Sequence, residues 1–147
     1  MSFQLHSRLQ QDCIIIGSFE LSLLLLMNDN HYPWFILVPQ RADVTEIYQL
    51  NDADRQLLQK ESCLLAETLA AVYQADKMNI AAIGNLVPQL HLHHVVRYQT
   101  DAAWPAPIWG KFAPEPYSDE QIAEHKQLVQ AALVNSLKND SPASVNT

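Results

Sequence analysis

Residues 88–98 read PQLHLHHVVRY and hold three of the chain's six histidines, His91, His93 and His94. On a strand, alternate side chains share a face, so Gln89, His91 and His93 point one way while Leu90, Leu92 and His94 point the other. The leucines mark the face that packs on a core. The other face then presents an amide and two imidazoles in a row, each roughly 6–7 Å from the next. Neutral imidazole near physiological pH is both a nucleophile and a proton carrier. One ring can attack while the second contacts a phosphate or handles a proton. His94 stands at an apolar-face position and is expected to pack or to cap a neighbour.

Two histidines on one face can also ligate zinc. A catalytic zinc site requires a third protein ligand, and His6, His31 and His125 have no spacing that points to one. No metal and no other cofactor is expected, and a divalent-metal-binding domain built on His91 and His93 stands as a competing reading. Arg97 shares the face of His91 and His93 if the strand stays regular, which makes it a candidate phosphate clamp; the alternative is a solvated or paired arginine.

The elements that must position these residues are legible in the pattern. Residues 12–20 and 21–29 are apolar runs that suit two adjacent strands, and 34–41 reads as a third ended by Pro39. Residues 51–75 carry Leu57, Leu58, Leu64, Leu65, Leu69 and Val72 at helical spacing behind Asn51 or Asp52 as cap. A fourth strand is expected at 77–85, broken at Gly84-Asn85, and a fifth at 89–98. The stretch 104–116, with four prolines and two tryptophans, excludes regular helix and central strand. Ser118 and Gln121 form a capping-box pattern for a helix running to about residue 138. The order β-β-β-α-β-β-α predicts an α+β fold, a mainly antiparallel five-stranded sheet with two principal helices. One domain is expected over 1–139, with 140–147 a disordered tail.

Composition narrows the function. A net charge of −7, from 16 acidic and 9 basic residues, argues against nucleic acid as partner, because binding that backbone depends on clustered Lys and Arg. A small anionic ligand remains compatible, since a local site can be positive in an acidic protein. The longest apolar run, residues 21–27, is too short to span a membrane, and the N-terminus lacks a basic region followed by an apolar core. With Cys13 and Cys63 expected as reduced thiols, a cytoplasmic location is expected.

The stretch QLHLHHVV at 89–96 resembles the signature of the histidine triad (HIT) superfamily, His-φ-His-φ-His-φ-φ with φ apolar, with Gln89 in place of the first histidine. Upstream, LLLLMNDNHYPWFILVPQR (23–41) is similar to the family's strand, Pro-containing turn and strand ending in Val-Pro plus a basic residue. The resemblance covers about residues 10–100. It implies an α+β domain that commonly pairs as a homodimer, binds nucleotides and cleaves or transfers at the α-phosphate. By that resemblance His91 attacks phosphorus in line, and His93 contacts the phosphate or leaving oxygen, where a cationic donor offsets growing negative charge. Gln89 would donate a hydrogen bond to a phosphoryl oxygen, and Asn85 would add to that cradle. Asn28 would meet the ribose hydroxyls, with Leu26 and Ile36 in a base pocket. Trp34 falls where many members carry a further histidine, and Leu86 where some place a hydroxyl that helps an amine depart. Trp104 and Trp109 could stack on a base; the simpler expectation is a Trp-Pro clamp that fixes an irregular segment. A nucleotide-binding or sensing protein with an altered, inactive triad is the alternative from another class.

Overall fold

Three consecutive apolar runs become the centre of one antiparallel sheet. In the computed structural model, which describes residues 2–139, β1 (Cys13–Ser18), β2 (Ser22–Met27) and β3 (Trp34–Pro39) form a meander. β4 (Lys77–Ala81) and β5 (Leu92–Arg97) extend it, and the two-residue β6 (Lys138–Asn139) adds to β1, giving the order β4-β5-β3-β2-β1-β6. The expected α+β architecture is therefore present, with β6 as a short addition to the five main strands. The tail expected at 140–147 lies outside the described residues. Every residue of β3 is buried, which is why this strand reads as a continuous apolar run, and every residue of β5 is buried as well, its two histidines and Arg97 included.

Two helices cover one face of the sheet. α2 (Asp52–Tyr73) starts where the Asn51 carboxamide accepts from the Asp54 N–H at 2.8 Å, with Asp52 and Asp54 complementing the positive helix end. α3 (Asp119–Ala132) opens with the reciprocal Ser118–Gln121 box. Leu65 and Leu69 of α2 and Val129 of α3 bury against Leu24, Leu26, Phe35, Leu37 and Val96 of the sheet. α3 stops at Ala132 rather than near residue 138 because the chain turns back to pair Lys138 with Ser18. Gly17 permits that approach: a Cβ there would stand 2.5 Å from the Lys138 carbonyl oxygen.

The opposite face has only irregular cover. Leu25, Ile36, Val38 and Val95 pack beneath Leu5 and Leu9 of an N-terminal arm and beneath Ala103 and Ile108 of the proline-rich stretch. The arm contains a short helix, α1 (Ser7–Asp12), that the sequence pattern did not reveal. β4 ends at Ala81 and β5 begins only at Leu92, so residues 82–91 form a loop instead of completing the expected strands. The Leu90 N–H goes to the Val44 carbonyl at 2.9 Å rather than into the sheet ladder. On this less completely covered face a cleft opens.

Candidate active site

The cleft has a volume of about 390 Å³ and lies between α1, the 82–91 loop, the start of β5 and the turn at Trp109-Gly110. His91 and His93 both line it, each 7% exposed, with their ring centroids 4.8 Å apart. His91 precedes the strand and His93 lies within it, yet the two rings stay together. Met27, Trp34, Ile36 and Trp109 give the cleft an apolar floor, and Gly84, Asn85 and Val87 contribute the loop side. The register explains part of this assembly: Ile36 pairs with His93 across β3 and β5, and Trp34 with Val95, which sets Trp34 diagonal to His93 on the same face.

Hydrogen-bond partners fix the tautomer of each histidine of the segment. His91 Nδ1 lies 2.7 Å from the Gln89 carbonyl oxygen, which only accepts, so Nδ1 carries the proton and Nε2 keeps its lone pair. At His93 the logic reverses. The indole N–H of Trp34, which only donates, points at His93 Nδ1 from 2.9 Å, so Nδ1 is bare and the ring's proton sits on Nε2. His94 donates from Nδ1 to the Leu92 carbonyl at 3.1 Å and accepts from the Ser62 hydroxyl at Nε2, 2.7 Å away, on the helix face. It is the packed, satisfied histidine that its position predicted.

Burial agrees with this reading. It lowers the pKa of His91 below the ordinary histidine value, opposed by the bond to Gln89 and reinforced by His6. It takes His93 to about 3, helped by the neighbouring His91 and His94. His94 falls to about 4 by burial, the bond to Leu92 opposing. At neutral pH the site therefore holds one unprotonated nucleophilic nitrogen and, beside it, one neutral N–H donor. The expectation of a cationic His93 is corrected, because burial and the neighbouring His91 and His94 hold the ring neutral, and Trp34 donates to the nitrogen that a second proton would need.

The proline-rich stretch is held in place by a buried ion pair. Arg97, 1% exposed, meets Asp101 at 2.8 and 3.1 Å, Asn79 at 2.7 Å and the Ala106 carbonyl at 2.9 Å. Asp101 also accepts the backbone N–H groups of Tyr98, Ala103 and Trp104, which shapes the corner after β5. Burial by itself would raise the Asp101 pKa, but Arg97 and those donors bring it below the usual carboxylate range. The stretch so fastened brings Trp109 edge-on to His93, with ring centroids 5.4 Å apart. Trp104 lies under the Arg97 guanidinium instead.

Of the residues singled out from sequence, His91, His93, Ile36 and Asn85 meet at the cleft. Three do not. Leu26 is fully buried on the helix face with Leu24 and Phe35, since the alternation that puts Met27 on the cleft side puts Leu26 on the other. Arg97 spends its donors within the fold and is sealed from solvent. Gln89 turns both ends of its amide to the N-terminal arm, accepting from the His6 N–H at 2.9 Å and donating to the Gln4 carbonyl at 2.8 Å. Its side chain is thus a clamp and not a phosphoryl donor. Asn28 stands outside the cleft walls, its carboxamide oxygen accepting from the Tyr117 N–H at 2.9 Å.

The cleft residues that sequence reasoning left unassigned include Arg8 and Asp12 of α1, together with Met27. The strand pairing that sets Leu25, not Leu26, opposite Ile36 was the signal that identifies Met27 as the next residue on the cleft side. Among the described residues no group of three His, Cys, Asp or Glu side chains is placed to hold a metal ion. No helix among them is long and apolar enough to cross a membrane.

Residues 8–100 match the family model described as HIT domain. The fold is similar to a histidine triad protein from Marinobacter aquaeolei VT8, with 50% identity, a TM-score of 0.90, and coverage of 92% of this chain and 99% of that one. It is also similar to a histidine triad protein from Sinorhizobium meliloti 1021 (41% identity, TM-score 0.87, covering 89% and 97%). A histidine triad protein from Bradyrhizobium japonicum gives 39% identity and a TM-score of 0.88, covering 90% and 98%. No curated protein matches the chain.

Proposed function

Because the chain belongs to the histidine triad (HIT) family, we propose that it is a nucleotide phosphate hydrolase or nucleotidyl transferase working at the α-phosphate through a covalent nucleotidyl-His91 intermediate. The observation that carries this reading is the state of His91: a neutral ring in the wall of an open cleft, with Nδ1 tied to the Gln89 carbonyl and Nε2 left with its lone pair. Nε2 attacks phosphorus as the bond to the leaving group breaks, and the leaving group departs with that electron pair. The ring, now bonded to phosphorus and still protonated at Nδ1, carries positive charge, which the Gln89 carbonyl offsets. Water then bonds to phosphorus as the N–P bond breaks; that electron pair returns to Nε2, which leaves His91 neutral again, and the proton lost by water passes to solvent. A transferase differs only in the second acceptor.

His93 supports both steps as a neutral donor, its Nε2–H directed to a phosphoryl oxygen as negative charge builds. Ile36, Met27 and Trp109 offer apolar surface to a base, and Asn85 offers a polar side chain at the loop edge. The same reading takes the protein as a cytoplasmic homodimer. β4 is a sheet edge, and Ile80, Ile83 and Leu86 are exposed on or near it, the surface a second copy would cover.

The test is intact-protein mass spectrometry after brief mixing with dinucleoside polyphosphates and nucleoside phosphoramidates. A transient gain of one nucleoside monophosphate, lost in His91→Ala together with turnover, is the expected result. Full activity of folded H91A would exclude the mechanism. Gln89 favours a second reading, a nucleotide sensor without catalysis, because the first triad position no longer offers a side chain to the cleft. Tight binding of a mononucleotide with neither product nor adduct would select it.

A further inference from the structure

The cleft has apolar walls and two uncharged imidazoles, yet the substrate proposed for it is an anion. Arg8 carries the one permanent positive charge among the described residues that line it. The chain goes to some length to put it there. The Gln89 amide fastens the arm at residues 4 and 6, more than eighty positions away in sequence. The His6 ring accepts from the Arg8 N–H at 3.0 Å and starts α1, and Leu5 and Leu9 bury into the sheet, which fixes the rotation of this short helix. Arg8 and Asp12, one helical turn apart, then share the face that borders the cleft.

Resting on the nucleotide reading above, we propose that Arg8 forms a subsite for the phosphates beyond the scissile bond, and that Gln89 is the positioning residue that holds this subsite against the nucleophile. The ligand class is a nucleotide whose leaving group is itself phosphorylated. Arg8 is poised for such a role rather than locked into the fold. Its recorded side-chain bond uses Nε alone, to Asp12 at 2.8 Å, and leaves the terminal N–H donors for a planar, two-point contact with phosphate. The side chain is 58% exposed, and exchanging an exposed ion pair for a phosphate contact has a small cost. Asp12 meanwhile keeps the guanidinium oriented and disfavours an anion that lacks a contact to Arg8. Gln89 thus has a task of its own: one carboxamide accepts from the His6 N–H and donates to the Gln4 carbonyl, which fixes two points of the arm from a single side chain.

Calorimetric binding of nucleoside 5′-monophosphates and the matching 5′-tetraphosphates, with each of the common bases, tests the subsite without requiring turnover. Wild-type protein should prefer the tetraphosphate, and Arg8→Ala should reduce that preference by about tenfold or more, as expected for loss of a charge-assisted contact, while leaving monophosphate affinity within about twofold. Gln89→Leu should lower the preference in the same direction, and R8A/Q89L should fall no further than R8A. An unchanged tetraphosphate-to-monophosphate ratio in R8A, or an equal loss for both ligands, overturns the proposal. If the ratio collapses in R8A but no His91 adduct ever forms, the subsite stands and the catalytic reading fails.

Discussion

The Trp34–His93 contact makes a quantitative prediction. The bond joins a donor that cannot accept to an imidazole nitrogen that must therefore be bare, and both side chains are buried. Protonating His93 breaks it. That loss amounts to about 1 kcal/mol for the bond and about 1–2 kcal/mol for an indole N–H left without a partner. Trp34→Phe keeps an aromatic ring in the floor of the cleft and removes this opposition. At about 1.4 kcal/mol per pH unit, the His93 titration should move upward by about 1–2 pH units in this variant. It should not reach the ordinary value, because burial, the largest cause of the depression, remains, as do His91 and His94. Imidazole ¹⁵N spectra recorded across pH read both tautomer and pKa for each ring. In wild-type protein His93 should show a bare Nδ1 and a protonated Nε2 down to pH 5, while the neutral form of His91 shows the reverse. In W34F the His93 tautomer preference should weaken and its titration move upward. A wild-type His93 protonated on Nδ1, or a W34F titration identical to wild type, would refute the claim that Trp34 fixes the tautomer of this ring and opposes its protonation.

Two further outcomes follow from buried groups. His93 and His94 have folded-state pKa values of about 3 and 4, below the ordinary 6.5, so their contribution to stability is complete above that value and falls as the unfolded chain takes up protons. Between pH 6 and 4.5 the pair should remove about 3–4 kcal/mol, a large share of the stability of a domain this size; urea midpoints that stay level over this range would contradict it. Arg97→Ala leaves the Asp101 carboxylate buried without its partner and should cost about 3–5 kcal/mol in urea unfolding, with impaired turnover because Trp109 loses its support. A loss below about 1 kcal/mol would remove Arg97 from the architecture of the site.

What the sequence made legible is what repeats locally. The apolar runs within 21–41, the helical spacing of 51–75 and the Ser118–Gln121 pair each depend on neighbours a few residues away, and they reappear as β2, β3, α2 and the start of α3. The pairing of His91 with His93 has the same origin. Failures occur where a residue's partner is remote or where a face depends on a strand's end. α1 has six residues, too few to form a stable isolated helix, and is held by Leu5, Leu9 and Gln89 rather than by its own propensity. Alternation carried back two positions from Asn28 selects Leu26 as its neighbour on one face, but β2 ends at Met27, so that count starts outside the strand and selects the wrong face.

Arg97 and Gln89 mislead for a deeper reason. Each has the donors that a phosphate site would need, and nothing in a linear pattern distinguishes a donor aimed at a ligand from one aimed at the chain itself. The tertiary structure makes that distinction by access to solvent. Arg97 is enclosed by Asp101, Asn79 and Ala106, whereas Arg8, with the same side chain, is open at the rim of the cleft. A charge needed for folding has its partners built in, and a charge needed for a visiting anion must keep some of its donors free. By that criterion the segment that resembles a triad supplies the nucleophile and a neutral donor, while the cation comes from an arm that the triad's own first position holds in place.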